Sequence, residues 1–156
     1  MKELSYVMVK PGFANDQAII DEVKKRLTSV GLEIKEEGFV NYTPEDSKVH
    51  YSAHVSKPFY GELEEYLISD KAYGMIVEGE DAIVEIRKLV GSKNLEPGTI
   101  RFDILNSLGL IKFNDDGTKS FNITKNVVHA TGEKGEEVAE IALFKKLLAR
   151  ENSMQK

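Results

Sequence analysis

The chain has 156 residues, 41% of them hydrophobic and 30% charged, and its 21 Lys and Arg against 26 Asp and Glu give a formal net charge of −5. This composition is typical of one globular domain; the acidic balance argues against a nucleic-acid binder, and the absence of cysteine excludes disulfides, thiol nucleophiles and thiolate metal sites. No apolar run is long enough to span a bilayer or to form a signal peptide, so we predict a single cytoplasmic domain over residues 1–156 that contacts no membrane.

Strands and helices are predicted to alternate in the first third of the chain. Alternating apolar residues predict a strand over 4–9 that ends at Lys10-Pro11-Gly12. Apolar residues at helical spacing predict a helix over 16–30, and a second strand follows over about 32–41. Thr43-Pro44-Glu45-Asp46 is typical of a helix start, because Thr can cap, Pro suits the first turn and Asp favours the helix dipole.

The rest of the chain is predicted to add helices, short strands and one hairpin. The elements expected before residue 100 are a helix over 58–69, a strand over 73–77, a helix from about 79 to 89 and a loop over 91–98. Between 108 and 124, apolar residues flank Asn114-Asp115-Asp116-Gly117, which predicts a β-hairpin. The remaining elements are a strand over 126–128 that leads into His129, a helix over about 135–149 and a frayed tail from Glu151 to Lys156.

The order of these elements predicts the fold class. Helices that alternate with strands and a hairpin favour an α+β fold, in which helices pack on a mainly antiparallel sheet. The ferredoxin-like βαββαβ arrangement fits best, with the hairpin near 108–124 as an addition to it. Because that arrangement hosts many functions, function has to be inferred from particular side chains.

Two residues in the last third of the chain could carry chemistry together. His129 follows a strand, where a histidine can project into a cleft, and Glu140 lies on the edge of an amphipathic helix. Glu140 could hold one ring nitrogen protonated so that the other is free to attack. Taken singly, a hydrogen-bonded surface histidine and a solvated helix glutamate are the favoured interpretations.

Several basic residues suit either phosphate binding or a plain surface charge. Lys10 ends the first strand, Arg87 comes late in a helix, where the helix dipole alone would justify it, and Arg101 follows a Pro-Gly turn. No phosphate-binding loop, dinucleotide fingerprint or metal-ligand cluster is present. His50 and His54 are four residues apart on a predicted helix, but without an adjacent glutamate a polar face is favoured over a metal pair.

Taken in order, these motifs resemble the nucleoside diphosphate kinase family from Tyr6 to about Lys146. The segments that carry the resemblance are Val9-Lys10-Pro11, His50-Tyr51, Lys57-Pro58-Phe59, Pro97-Gly98-Thr99-Ile100-Arg101, Asn126-Val127-Val128-His129 and Glu140-Ile141. No single motif decides the matter, and the ordered set makes the resemblance strong.

The resemblance implies a transferase that moves phosphoryl groups by a ping-pong route through a phosphohistidine. The γ-phosphate of a nucleoside triphosphate such as ATP would pass to His129 and then to a nucleoside diphosphate. Glu140 would orient the imidazole, Tyr51 would lie beside it, and Asn126 would contact the ribose 3′-hydroxyl.

The resemblance also implies how the nucleotide is held. Positive groups would contact the phosphates, over which charge is spread in a loose transition state. The matching positions are Lys10, Arg87 and Arg101, and Lys93 stands at a further phosphate position where a lysine could serve. Phe59 would stack on the base, with Leu63 beside it. Such stacking tolerates any base, because every base has a π-face. Mg²⁺ would be held by the nucleotide phosphates and not by a protein cage.

Some positions and loop lengths depart from the family. Ala130-Thr131-Gly132 replaces the usual Gly-Ser-Asp, Gly12-Phe13 replaces Asp-Gly, and Lys93 replaces a threonine. The loop from 91 to 97 is shorter than usual, and roughly fifteen extra residues precede Asn126, a size that surface loops tolerate. The predicted hairpin is this insertion and is expected to reshape the nucleotide mouth. We expect a homo-oligomer.

Two rival hypotheses stay open at this point. The altered loops are also compatible with a nucleotide-binding or scaffolding module of the same fold that has lost turnover. A ferredoxin-like regulatory protein that responds to another anion is the second rival. Phosphoryl labelling separates the kinase from the first rival, and nucleotide titration separates both from the second.

Overall fold

The computed structural model describes residues 2–52 and 54–154. These residues contain six strands and six α-helices. The strands are β1 (Lys2–Val9), β2 (Glu33–Val40), β3 (Ala72–Glu80), β4 (Lys112–Phe113), β5 (Lys119–Ser120) and β6 (Val128–Ala130). The α-helices are α1 (Gln17–Ser29), α2 (Pro44–His50), α3 (Tyr60–Ile68), α4 (Ala82–Val90), α5 (Ile100–Ser107) and α6 (Glu136–Met154), with a 3₁₀ helix over Phe13–Asn15. None of these helices combines the length and the apolar character needed to cross a membrane.

Four strands form one antiparallel sheet in the order β2-β3-β1-β6. Helix α1 connects β1 to β2, and α4 lies between β3 and β6 in the chain. This is the ferredoxin-like βαββαβ arrangement, so the predicted fold is confirmed. Strands β4 and β5 pair as a separate hairpin within the inserted segment.

The central strand β1 supplies side chains to a hydrophobic core on each face of the sheet. Val7 and Val9 are fully buried in the core that includes residues of α1, α4 and α5. Tyr6 and Met8 are fully buried in the opposite core, which includes residues of α6. This division follows from the two-residue period of a strand. It places β6, the neighbour of β1, between both layers of helices.

Helix α2 is fixed at its start, as the sequence predicts. The Thr43 hydroxyl accepts from the backbone N–H of Asp46, and the Asp46 carboxylate accepts from the N–H of Thr43, which forms a capping box. Arg150 Nη2 on α6 donates to Asp46 Oδ2 at 2.9 Å. The helix that ends at His50 is therefore anchored to α6.

Several predicted boundaries are corrected by the structure. Helix α5 forms where the sequence indicates no element, and it begins at a Thr99 cap whose hydroxyl accepts from the N–H of Phe102. The inserted hairpin forms, but each of its strands is only two residues long. The predicted strand over 126–128 is wrong in its limits, because β6 begins at Val128. The frayed tail is wrong for residues 151–154, which continue α6, and residues 155–156 lie outside the described residues.

Candidate active site

A chain of hydrogen bonds holds His129, the middle residue of β6. Its Nε2 lies 2.5 Å from Oε2 of Glu140 on α6. Thr131 Oγ1 donates to Glu140 Oε1 at 2.7 Å and accepts from the backbone N–H of Tyr6 at 2.9 Å. Because a carboxylate only accepts, this contact places a proton on Nε2, and in the neutral ring Nδ1 then carries the lone pair. The structure thus brings together the predicted pair in a form that leaves one nitrogen free to react.

Replacing Thr131 with valine is expected to weaken this chain of hydrogen bonds. The change leaves the N–H of Tyr6 unpaired, so the free energy of unfolding should fall by about 1–3 kcal/mol. With Glu140 less firmly held, reaction at the free ring nitrogen of His129 should slow by about tenfold. Chemical denaturation and the single-turnover rate of that reaction measure the two effects, and Thr131→Ser, which keeps the hydroxyl, is the control. A valine variant with wild-type stability and rate would contradict this role.

Arg101 is neither an exposed charge nor a free phosphate clamp. Its guanidinium donates three hydrogen bonds to backbone carbonyls: Nε to Asn126 at 2.9 Å, Nη1 to Gly91 at 2.7 Å and Nη2 to Val128 at 2.9 Å. A guanidinium has five N–H groups, so two remain for a ligand. Burial, together with the charge of Arg87, lowers the pKa of Arg101 to about 10. Arg101 therefore ties β6 to the end of α4.

The backbone is strained at Val127, which lies between Asn126 and Val128, two of the residues whose carbonyls Arg101 holds. Val127 has φ of 75°, a conformation that β-branched residues rarely adopt. The N–H of Val128 donates to the Asn126 carbonyl at 2.9 Å, which closes a three-residue turn around Val127. Such strain persists only where the surroundings impose it, and here Arg101 holds the carbonyls of the residues on both sides of Val127. The turn fixes the direction in which His129 enters the sheet.

A cleft of about 530 Å³ opens over His129 and is rich in positive charge. Of the predicted site residues, those that line it are Lys10, Arg87, Lys93, Arg101, Asn126 and His129. The Lys10 ammonium is buried and donates to the Thr124 carbonyl at 3.2 Å. Burial, with Arg101 nearby, lowers the pKa of Lys10 to about 7. The side-chain Oδ1 of Asn126 is buried without a hydrogen-bond partner among the described residues. The cleft therefore offers cations and one unpaired acceptor.

The other predicted residues surround this cleft. Phe59, at the start of α3, is 47% exposed, and its ring lies 5.7 Å from that of His54, which lines the cleft. Leu63 lies one turn further along α3 and is half-buried. Tyr51 packs against His50 at 4.7 Å. The structure thus places an exposed aromatic face beside a group of cations.

Two neighbours of the site were not assigned roles from the sequence. The ring of His50 lies 4.6 Å from the ring of His129, whereas the ring of Tyr6 lies 6.3 Å from it. Burial, with His129 and Lys10 nearby, lowers the pKa of His50. Glu136 lines the cleft. A Cβ added at Gly132 would lie 3.4 Å from Glu136 Oε1 and from Arg87 Nη1, so Glu136 supplies a carboxylate near the position where the usual acid is missing. The His50-Tyr51 motif could have indicated His50, whereas no local pattern indicated Glu136.

The proposed helical pairing of His50 and His54 is wrong. Helix α2 ends at His50, and His54 lies in the turn that follows. The two side chains therefore do not share a helix face. Their backbones are linked through Tyr51, whose carbonyl accepts from the His54 N–H at 2.7 Å.

Comparisons with known proteins agree with this geometry. The family profile for nucleoside diphosphate kinase matches residues 3–147. The chain is 33% identical to the nucleoside diphosphate kinase of Methanobrevibacter smithii over 147 residues, which covers 92% of this chain and 87% of that protein. It is 34% identical to that of Archaeoglobus fulgidus, covering 91% and 85%.

Solved structures also match over nearly the whole chain. A crystal form of the Aquifex aeolicus nucleoside diphosphate kinase has a TM-score of 0.74 at 26% identity, covering 92% of this chain and 95% of that chain. The halophilic nucleoside diphosphate kinase of Halobacterium salinarum, in complex with CDP, has a TM-score of 0.73 at 30% identity, covering 92% and 88%.

Proposed function

Because the chain belongs to the nucleoside diphosphate kinase family, a family of phosphotransferases, we propose that His129 is the residue that carries the phosphoryl group. The enzyme transfers the γ-phosphate of a nucleoside triphosphate to a nucleoside diphosphate. The observation that carries the assignment is the contact of His129 Nε2 with Glu140 Oε2 at 2.5 Å, on the wall of a cationic cleft.

In the first half-reaction, the lone pair of His129 Nδ1 attacks the γ-phosphorus. The N–P bond forms as the bond from that phosphorus to the bridging oxygen breaks, and the nucleoside diphosphate leaves with the bond's electron pair. Glu140 accepts a hydrogen bond from the Nε2–H group throughout and so stabilises the positive charge that develops on the ring. The second half-reaction is the reverse, with a different diphosphate as acceptor.

The cations of the cleft would neutralise the phosphates during transfer. Lys10, Arg87 and Arg101 line the same cleft as His129, and a loose phosphoryl-transfer transition state is stabilised mainly by such positioned charge. Lys93 lies in the same cleft and would add a further charge. The two N–H groups that Arg101 does not use on carbonyls are available for phosphate oxygens.

The affinity for a nucleoside diphosphate is expected to fall as pH rises above 7. Lys10, with its pKa lowered from 10.5 to about 7, is neutral there in the free protein, and a bound phosphate favours the charged form. Binding above pH 7 should therefore take up a proton. Calorimetric titrations in buffers of different ionisation enthalpy measure this uptake.

The same pKa sets a pH dependence of stability. Between pH 7 and 10.5 the unfolded chain binds a proton that folded Lys10 does not, so the free energy of unfolding should rise with pH, by up to about 1.4 kcal/mol per unit. Lys10→Met is the reference for both measurements. Equal pH slopes in the wild type and this variant would contradict the assignment.

Mg²⁺ is expected to arrive with the nucleotide. Among the described residues that line the cleft, Glu136 is the only carboxylate, whereas Mg²⁺ prefers several oxygen ligands. Phosphate oxygens and water would supply them. We therefore treat the Mg²⁺–nucleotide complex as the substrate.

Replacing Phe59 with alanine is expected to raise KM with little change in kcat. The ring is exposed beside the cleft, where it would stack on the base with Leu63 next to it, and stacking contributes about 1–3 kcal/mol per base. KM should therefore rise about 5- to 150-fold for every nucleotide tested. Phe59→Tyr keeps a stacking face and is the control. A drop in kcat at unchanged KM would contradict a binding role.

The remaining roles follow from local geometry. The unpaired Oδ1 of Asn126 would accept a hydrogen bond from the ribose 3′-hydroxyl. Tyr51, packed on His50, would support the ring that contacts His129. The Thr124 carbonyl holds Lys10, so the inserted segment would shape the phosphate end of the mouth.

We also infer that the whole chain, 1–156, acts as one such domain in the cytoplasm, where Mg²⁺-nucleotides are available, and that copies of it assemble into a homo-oligomer. Light scattering after size-exclusion chromatography measures the assembly.

Steady-state kinetics test the proposed route. With triphosphate and diphosphate varied together, a phosphohistidine route predicts parallel lines in double-reciprocal plots, because the first product leaves before the second substrate binds. Intersecting lines would overturn it. Nucleotide binding without turnover would favour the rival binding module.

A further inference from the structure

Three side chains that can ligate a metal ion converge behind the cleft. They are His50 at the end of α2, His129 on β6 and Glu140 on α6. One potential ligand atom from each lies within 4.8 Å of the others. All three belong to packed helices or to the central sheet, so their positions are set by the fold and not by a loop.

His50 has unused bonding capacity at this point. Both of its ring nitrogens are buried, and neither has a hydrogen-bond partner among the described residues. A buried polar group left unpaired costs about 1–3 kcal/mol, so most are paired. The surroundings are rings: Tyr51 lies at 4.7 Å, Tyr42 at 5.6 Å and Tyr6 at 6.4 Å between centroids. A ligand between His50 and His129 would satisfy what the protein leaves unpaired.

We propose that His50, His129 and Glu140 form a binding site for a divalent transition-metal ion of the Zn²⁺ class, and that an ion bound there inhibits phosphorylation of His129. Two imidazole nitrogens and one carboxylate oxygen are a zinc donor set, with water in the fourth position. Mg²⁺ prefers oxygen ligands and would not compete for it.

The geometry requires small adjustments. Zinc bonds of about 2.0–2.1 Å place tetrahedral ligand atoms about 3.3 Å apart. His129 Nε2 and Glu140 Oε2, at 2.5 Å, therefore separate by under about 1 Å, and the ring of His50 moves inward by up to about 1.5 Å. Thr131 Oγ1 keeps Glu140 Oε1 in place, so that Oε2 is the oxygen presented to the ion.

Inhibition follows from what the ion displaces, and this consequence rests on the proposed role of His129. The ion replaces the proton on Nε2, draws electron density from the ring and takes the carboxylate oxygen that stabilises the charged imidazole. The Nδ1 lone pair is then a weaker nucleophile. The ion enters through the cleft, where the positive charges of Lys10 and Arg101 slow its approach. Binding is therefore measured only after it has reached equilibrium.

Titration of the nucleotide-free chain with Co²⁺ tests the site, since Co²⁺ in tetrahedral N/O coordination absorbs visible light. The wild type is expected to bind one ion per chain, with zinc displacing it. His50→Gln and Glu140→Gln should each weaken binding at least about tenfold, whereas His54→Gln, a matched histidine change nearby, should not. Circular dichroism checks that the variants fold. No saturable binding to the wild type at millimolar Co²⁺, or undiminished binding to both variants, would overturn the proposal.

A labelling assay tests the consequence. Zn²⁺ should inhibit phosphorylation of the wild type, EDTA followed by fresh Mg²⁺ should restore it, and His50→Gln should need at least about tenfold more Zn²⁺ for the same inhibition. Equal sensitivity of the two proteins would overturn the inhibitory role. Failure of the proposed function would show instead as no label on the wild type without zinc, while the Co²⁺ titration would still decide the metal site.

Discussion

Replacing His129 with glutamine is expected to lower kcat by about 10⁴-fold or more and to abolish the phosphoryl label. Removing the nucleophile from a covalent route leaves only positioning and charge stabilisation, and losses of this size or larger are usual for such changes. Glutamine retains a polar side chain beside Glu140, whose carboxylate would otherwise lose its partner at 2.5 Å. Coupled steady-state assays measure kcat.

The control for this prediction is His54→Gln, since His54 also lines the cleft but does not contact Glu140. Nucleotide affinity, followed by calorimetry, should stay within a few-fold of the wild type in His129→Gln, because the cations of the cleft are unchanged. Residual activity within about tenfold of the wild type would show that another group carries the phosphoryl transfer.

Replacing Arg101 with lysine is expected to have the second largest effect, on stability and activity together. One ammonium cannot reach the three carbonyls of Gly91, Asn126 and Val128 that the guanidinium bonds at 2.7–2.9 Å. The Asn126 carbonyl still accepts from the Val128 N–H, but the part-buried carbonyls of Gly91 and Val128 lose the guanidinium, which should lower the free energy of unfolding by about 2–3 kcal/mol. Without the clamp the strained turn at Val127 should relax, and kcat should fall about 100-fold as His129 moves.

Arg87→Lys separates charge from geometry. Arg87 lines the same cleft, but it bonds none of the three carbonyls that Arg101 holds. Its replacement should lower nucleotide affinity while leaving the free energy of unfolding nearly unchanged. If both lysine variants unfold at the wild-type denaturant concentration, Arg101 has no structural role.

Local patterns were sufficient for most of the fold. The alternation in β1, the capping box at Thr43 and the helical spacing of α1 each act through neighbouring residues, and each predicted element forms. Helix α5 was missed because its start lies in the segment interpreted as a phosphate motif. Its buried residues also pack against core residues that are distant in the sequence, so no local pattern shows what they contact. The limits of β6 depended on the strained turn at Val127, which no local pattern predicts.

The candidate site was predictable from motifs, but its physical state was not. The ordered motifs indicated His129 and Glu140, whereas the bond between them depends on the packing of α6 against the sheet. A lysine at a strand end is usually exposed, yet Lys10 is buried beneath the Thr124 carbonyl of the insertion. The three carbonyls on Arg101 come from two distant segments, the end of α4 at Gly91 and the start of β6 at Asn126 and Val128, so only the folded chain brings them together.

The most direct test is to locate the phosphoryl group itself. The chain is incubated with Mg²⁺ and ATP labelled in its γ-phosphate, freed of nucleotide and mapped by mass spectrometry under alkaline conditions. The structure predicts one acid-labile, base-stable phosphoryl group on His129 Nδ1, which is lost when a nucleoside diphosphate is added. An acid-stable label, a label on another residue or no label at all would contradict the assignment of His129.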